Sequence, residues 1–159
     1  MPNNDAIFRR LLSEHQQALY WHIRHIVGNH EDAEDALQET FLRAYRHLDK
    51  LREAASEKAW LYRIATNEAL RLVEARRTTD DVADHDPPEE ETPDYDNLQQ
   101  ALTAAIELLP PRQRAVFCMR YYDDLSYDDI ALATDSNVKA VTANFHHAKE
   151  RIRQHLLSL

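Results

Sequence analysis

With 159 residues, 43% apolar and 30% charged, the chain is long enough for one ordinary domain or two small ones, and its composition excludes wholesale disorder. A single Gly and few turn-forming pairs argue against hairpins, so the expected fold class is all-α. The formal net charge of -9 is localised: residues 1–79 hold 12 Lys/Arg against 12 Asp/Glu, residues 97–159 hold 7 against 7, and Asp80–Asp96 holds nine acids and no Lys or Arg.

A helical pattern that starts near Asp5 breaks at Gly28-Asn29. Asn29 can cap a second helix whose first turn, Glu31, Asp32, Glu34 and Asp35, suits the positive end of the helix dipole. That helix is expected to reach about Leu51. Ala33, Leu37, Phe41, Ala44 and Leu48 recur at steps of three and four and define its buried stripe; Asp35, Gln38, Glu39 and Leu42 fall on another face. Ser56 caps a third helix, "EKAWLYRIATNEALRLVEARR", with Trp60, Leu61, Ile64, Ala65 and Leu72 on the core side and Arg71, Arg76 and Arg77 in its last turns. Three helices can enclose one small core.

The acidic run Asp80–Asp96 has three prolines and few large aliphatics. It cannot bury enough apolar surface to offset the entropy of ordering, and it reads as a self-repelling flexible linker. Beyond it, Asn97 and Gln100 stand in capping-box spacing before "LQQALTAAIELL". Pro110-Pro111 ends that helix and starts the next, "RQRAVFCMRYY". Its lone Cys118 reads as a buried, quiet thiol, and no disulfide can form within the chain. Ser126 and Asp129 form a second capping-box pair before a short helix. After a turn at Asp135-Ser136, Asn137 caps the last helix, whose core register is Val138, Val141, Phe145, Ala148, Ile152 and Leu156. The face left over is Lys139, Ala140, Ala143, Asn144 and His147, the face a helix-turn-helix presents to the major groove.

Three blocks, "DAEDALQETFLRAYRHLDKL", "AWLYRIATNEAL" and "LPPRQRAVFCMRYYDDLSYDDIA", in that order and ending in a helix-turn-helix, resemble the bacterial extracytoplasmic-function (ECF) sigma factors of the sigma-70 superfamily. The resemblance implies two small helical domains, a three-helix sigma region 2 over 1–79 and a helix-turn-helix sigma region 4 over 97–159, joined by the acidic linker 80–96. It implies a protein that binds core RNA polymerase and directs it to promoters. Region 2 would read the minus-ten element and region 4 the minus-thirty-five element.

Carried onto this chain, core-polymerase binding falls to Asp35, Gln38, Glu39 and Leu42, where carboxylates accept paired bonds from Arg and Leu supplies a dry anchor. Minus-ten DNA binding falls to Lys58, Tyr62 and Arg63, with Asn67, Arg71, Arg76 and Arg77 further along the same helix. Trp60 reads as core, and Asn67 as either a structural hydrogen bond or a DNA contact. Minus-thirty-five binding falls to Lys139, Ala140, Thr142, Ala143, Asn144 and His147. The chain departs from the family where Glu74 interrupts the basic run, where Asp135 replaces a common Gly, and where Thr142 and Asn144 replace basic residues. Each lost cation removes a phosphate contact, while Asn144 can still pair with adenine and Lys139 can reach guanine or phosphate.

His146 and His147 point about 100° apart on a helix and have no partner at ligand spacing, so no metal and no cofactor are expected. Acid pairs read as caps and turns, so an enzyme is not expected. The expected partners are core RNA polymerase, promoter DNA and an anti-sigma factor, the free protein being monomeric. With no apolar signal run and no stretch of roughly 18 apolar residues, no membrane insertion and a cytoplasmic location are expected. Two other readings compete: a sigma-like decoy that captures an anti-sigma factor, and a stand-alone helix-turn-helix regulator. The acidic linker reads equally as an occupant of a polymerase channel or as a solvated spacer.

Overall fold

The structure, a computed structural model, describes residues 3–78 and 95–159, with side chains over 3–76 and 97–159. The expected linker therefore lies outside the described residues, apart from the backbone of Tyr95 and Asp96, and so does the Arg77 side chain. Eight helices are present among the described residues: α1 Asn4–Val27, α2 His30–Arg46, α3 Leu48–Glu53, α4 Glu57–Thr78, α5 Tyr95–Glu107, α6 Pro111–Tyr121, α7 Tyr127–Ala133 and α8 Val138–Leu157. No strand occurs among those residues.

Local chemistry sets most of these boundaries. Gly28 ends α1 with φ at 90°, a left-handed value that costs a residue without Cβ little. Asn29 then opens α2, its Oδ1 accepting the Asp32 amide at 2.8 Å. Ser56 does the same for α4, its Oγ accepting the Ala59 amide at 3.1 Å. Pro111 occupies the first turn of α6, where a missing N–H costs nothing.

Two expected boundaries move. The helix expected from Asn29 to Leu51 is two helices, broken at His47, whose backbone sits at φ -123°, ψ 32°. The apolar stripe runs through the break because Leu48 and Leu51 stay buried on the far side of it, so periodicity alone hides the bend. The second shift is at α5, which begins at Tyr95. Asn97 is therefore inside the helix and not its cap.

The larger core draws on both halves of the chain. Leu11, Leu19, Ile23, Leu37, Phe41, Leu61 and Tyr62 share one buried cluster with Val116, Met119, Leu125, Ile130 and Val141. α4 packs on α7 and α6, and α1 packs on α6. A smaller cluster belongs to the C-terminal helices alone, with Ile106, Leu109, Phe117, Cys118, Ala148 and Ile152. Cutting a side chain such as Leu61 or Ile23 back to Ala in such a core costs about 2–5 kcal/mol. Cys118 is fully buried, and burial pushes its thiol up to about 12, which keeps it protonated and chemically quiet.

Candidate nucleic-acid interface

The reading helix is built by its turn. Ser126 caps α7 by accepting the Asp129 amide at 3.1 Å. At the other end Asp135 adopts φ 53°, and the Ser136 amide reaches back to the Ala131 carbonyl at 2.9 Å. This is a left-handed stop with a six-to-one bond, achieved here by Asp where Gly is the easier residue. Asn137 then accepts the Ala140 amide at 2.8 Å and starts α8. Lys139, Ala143 and His147 stand exposed on one face, with Ala140 and Asn144 half-buried beside them. Thr142 is also half-buried, and its hydroxyl donates to the Val138 carbonyl at 2.7 Å, so its only proton is already committed. Val138, expected in the core register, is 40% exposed, because the first residue of α8 projects past the body it packs on.

On α4 the buried positions Ala59, Leu61, Tyr62, Ala65, Thr66, Glu68 and Ala69 sweep an arc of about 180° at roughly 100° per residue. Arg63, Asn67, Arg71 and Glu74 are exposed and fall within about 80° of one another by the same step. Of the residues expected to meet minus-ten DNA, those three besides Glu74 share this surface. Lys58 is exposed in the first turn, with its Nζ donating to the Asp123 carbonyl at 3.4 Å.

Two residues of that set are elsewhere. Tyr62 is 0% exposed, so the expected stacking platform is closed in this arrangement: it lies under the C-terminal helices. The Asp123 carboxylate acts on its hydroxyl, although no hydrogen bond of good geometry closes there, and burial first and that charge second push the phenol up. Arg76 is half-buried and structural. It donates to the Val27 carbonyl at 2.8 Å and pairs with Asp32 at 3.2 Å, locking the end of α4 to the α1–α2 corner.

The remaining cations of α4 whose side chains the structure describes also have protein partners. Arg71 pairs at 2.6 Å with the buried Glu68, which holds Arg43 of α2 at 2.7 Å. Arg63 pairs with Asp135 of the turn at 2.7 Å. The same junction stacks the His25 ring of α1 on Tyr122, centroids 4.3 Å apart and planes 9° from parallel. Burial, with the charges of Arg24 and Arg114, brings His25 down to about 4. Burial lifts Asp123 to about 6 against the opposing pull of Tyr62 and Lys58. Sequence reasoning reads Asp123 only as half of the turn-forming acid pair Asp123-Asp124, and does not single out His25. Only the aromatic pair Tyr121-Tyr122 before a two-acid turn hints at the junction.

On α2, Asp35 and Gln38 are exposed and Leu42 is 45% exposed. They rim an open depression between α1 and α2 floored by Phe8, Leu12, Leu37 and Phe41. Glu39 does not line it: half-buried on the α4 side of α2, it holds Arg43 at 3.2 Å, the arginine that also reaches Glu68 of α4. Carboxylates and amides around an apolar floor are what a basic helical partner with a protruding apolar residue would fit.

Comparison with known proteins joins these surfaces. Residues 11–79 match Sigma-70 region 2 and residues 99–152 match Sigma-70, region 4. The chain is 30% identical over 98% of its length to the ECF RNA polymerase sigma factor SigE of Mycolicibacterium smegmatis, and spans 62% of that protein. It is 33% identical over 76% of its length to the ECF RNA polymerase sigma-E factor of Escherichia coli K12, covering 72% of that protein. In fold it is similar to the sigma factor RpoE of Bartonella quintana, solved with the anti-sigma factor NepR. The TM-score is 0.76 at 23% identity, over 94% of this chain and 96% of that one. No helix among the described residues is long and apolar enough to cross a membrane.

Proposed function

The chain belongs to the extracytoplasmic-function sigma factors, and from that premise we propose that it binds core RNA polymerase and directs promoter-specific initiation, without enzymatic activity of its own, in the cytoplasm. Residues 1–79 act as region 2 and residues 97–159 as region 4, with 80–96 as the connector. The observation that carries the reading is the coexistence, on one short chain, of the Asp135-turned reading helix α8 and the open α1–α2 depression rimmed by Asp35, Gln38 and Leu42.

Each surface does a different job. Asp35 and Gln38 take up donors from a basic element of polymerase while Leu42 seats against its apolar side, Glu39 supporting them through Arg43. The α4 face of Arg63, Asn67 and Arg71, with Lys58 ahead of it, lies along a single strand, the cations on phosphates and the amide on a base edge. α8 enters the major groove, where Asn144 can pair bidentately with adenine and Lys139 can reach guanine or phosphate. The B. quintana relative was solved with an anti-sigma factor, and a partner of that kind is proposed for this chain too.

Reconstitution with core polymerase and genomic DNA, with start sites read by run-off sequencing, tests the reading. Discrete starts sharing two upstream elements are expected, and their absence would overturn it. Reversing Asp35 and Glu39 together to Lys should weaken core binding by roughly 10- to 100-fold, the range for charges facing a basic partner, and leave the helical circular dichroism unchanged. Undiminished binding in a competition assay would remove this surface from the proposal.

A further inference from the structure

Charges of alternating sign cross the seam between α2 and α4. Arg43 Nε lies 3.2 Å from Glu39 Oε1 and 2.7 Å from Glu68 Oε1, while the other oxygen of Glu68 accepts from Arg71 Nη2 at 2.6 Å. Glu68 is only 4% exposed, and both guanidinium groups are about half-exposed or more. Arg71 thus leans back from the exposed face of α4 onto a buried carboxylate about 60° round the helix, at roughly 100° per residue. Arg43 meets the same carboxylate from the neighbouring helix.

That carboxylate sets the terms on which Arg71 can reach a strand. A phosphate oxygen that draws the guanidinium away leaves Glu68 behind, and a buried charge stripped of its partner is strongly destabilising. Arg63 meets no such obstacle, because its acceptor Asp135 is 66% exposed and water can replace the guanidinium there. Glu68 is closed to water, but it keeps Arg43, whose charge neutralises it from α2 when Arg71 leaves. Glu39, the other acid on Arg43, is half-buried and can turn to solvent.

We propose that Arg43 is a positioning residue for minus-ten binding: it stays on Glu68 as the counter-charge and so frees Arg71 for a phosphate of the single strand, without touching the strand itself. The proposal rests on the reading of the α4 face as the minus-ten surface. It divides α2 between two tasks, with Asp35, Gln38 and Leu42 turned to polymerase and Arg43 turned to the helix that holds the DNA.

The test uses the full chain bound to core polymerase and a promoter fragment recovered by run-off sequencing, its minus-ten element left single-stranded on the non-template strand. Anisotropy of a label on that fragment gives affinity across a salt series. Arg71→Ala should lose one phosphate contact, about 0.7 in the slope of log affinity against log salt and about five-fold in affinity near 0.1 M salt. Arg43→Gln should match it in both, because Arg71 then stays on Glu68. Glu68→Gln removes the buried charge, so adding it to Arg43→Gln should restore slope and affinity together. Core affinity should stay at the wild-type value in each variant.

An unchanged slope in Arg43→Gln would overturn the proposal. A slope that stays low in the double variant would overturn it too, by putting Arg43 on the strand itself. A loss of core affinity in place of the slope change would assign Arg43 to the polymerase face instead. Failure of the α4 reading looks different: Arg71→Ala would then change neither slope nor affinity, and the proposal would fall with it.

Discussion

Helices α4 and α8 are both capped at their first turn, and both carry a proposed DNA face, but they treat their cations oppositely. Every cation of α4 whose side chain the structure describes has a protein acceptor: Asp123 for Lys58, Asp135 for Arg63, Glu68 for Arg71, Val27 and Asp32 for Arg76. On α8, Lys139 and His147 are exposed and enter no ion pair among the described residues. The difference teaches that exposure and availability are separate properties. α8 can meet a duplex as it stands, whereas α4 has to exchange partners, and each exchange costs the ion pair it breaks.

The largest test of this contrast is acid. α4 is seated on α1 through His22, fully buried, whose Nε2 shares a hydrogen bond with the Thr66 hydroxyl at 2.8 Å. Burial, helped by the nearby His25, brings His22 from 6.5 down to about 3. The unfolded chain then binds the proton that the folded one refuses. Stability from this group is whole above pH 6.5 and is lost as pH falls toward 3, by up to about 1.4 kcal/mol per unit. His25 acts in the same direction between 6.5 and about 4. Asp123, raised to about 6, opposes both between pH 6 and 4, and the two histidines outweigh it. Among the apolar residues that make up the cluster beneath α8, Cys118 is the one that titrates, and burial raises its thiol so that it stays protonated throughout. Lowering the pH from 7 to 4.5 should therefore unfasten the N-terminal helices first. Both tryptophans, Trp21 and Trp60, lie there, so their fluorescence should shift before the Cys118 thiol becomes reactive to an aromatic disulfide. Simultaneous loss of the two signals would break the contrast. His22→Gln, which keeps an amide for Thr66, should flatten the pH dependence.

A smaller effect sharpens the α8 side. Asn144→Ala should relax discrimination at one base pair of the upstream element by about 1–3 kcal/mol, measured by competition among single-position promoter variants in the holoenzyme. A uniform loss across all variants would reassign Asn144 to positioning.

The smallest effect compares the two helices directly. For duplex binding by the free protein, Lys139→Ala should lower the slope of log affinity against log salt by about 0.9, while Arg63→Ala should leave it unchanged, because Arg63 is already neutralised by Asp135. In the holoenzyme both substitutions should lower it. A slope change for Arg63→Ala in the free protein would show that the guanidinium was open all along.

Much of this architecture was legible in the residues themselves. Asn29, Ser56, Ser126 and Asn137 each accept the amide three residues on, and Asp135 takes the left-handed turn, because capping is decided within four residues of chain. The break at His47 was not legible, since Leu48 and Leu51 continue the buried stripe past it. The surfaces were legible as faces and not as partnerships. Spacing put Arg76 in a basic tail, but its bond to Val27 spans 49 residues, and no local pattern encodes it. Tyr62 was misplaced for the same reason. Ala59, Tyr62, Thr66 and Ala69 make a second buried flank on α4, and small or amphipathic residues do not announce which helix will cover them.

The shared cluster that joins Leu61 to Ile130 has a further consequence for how this molecule can be silenced. Its two sides belong to one polypeptide, so their encounter is unimolecular and is governed by an effective concentration set by the chain between them. Diluting the protein does not loosen it. A separate molecule competing for either side must exceed that built-in concentration, whereas one that grips both sides at once is helped by it. The fraction of chains held shut should be the same at nanomolar and micromolar protein, and any change with dilution would assign the contact to a second copy.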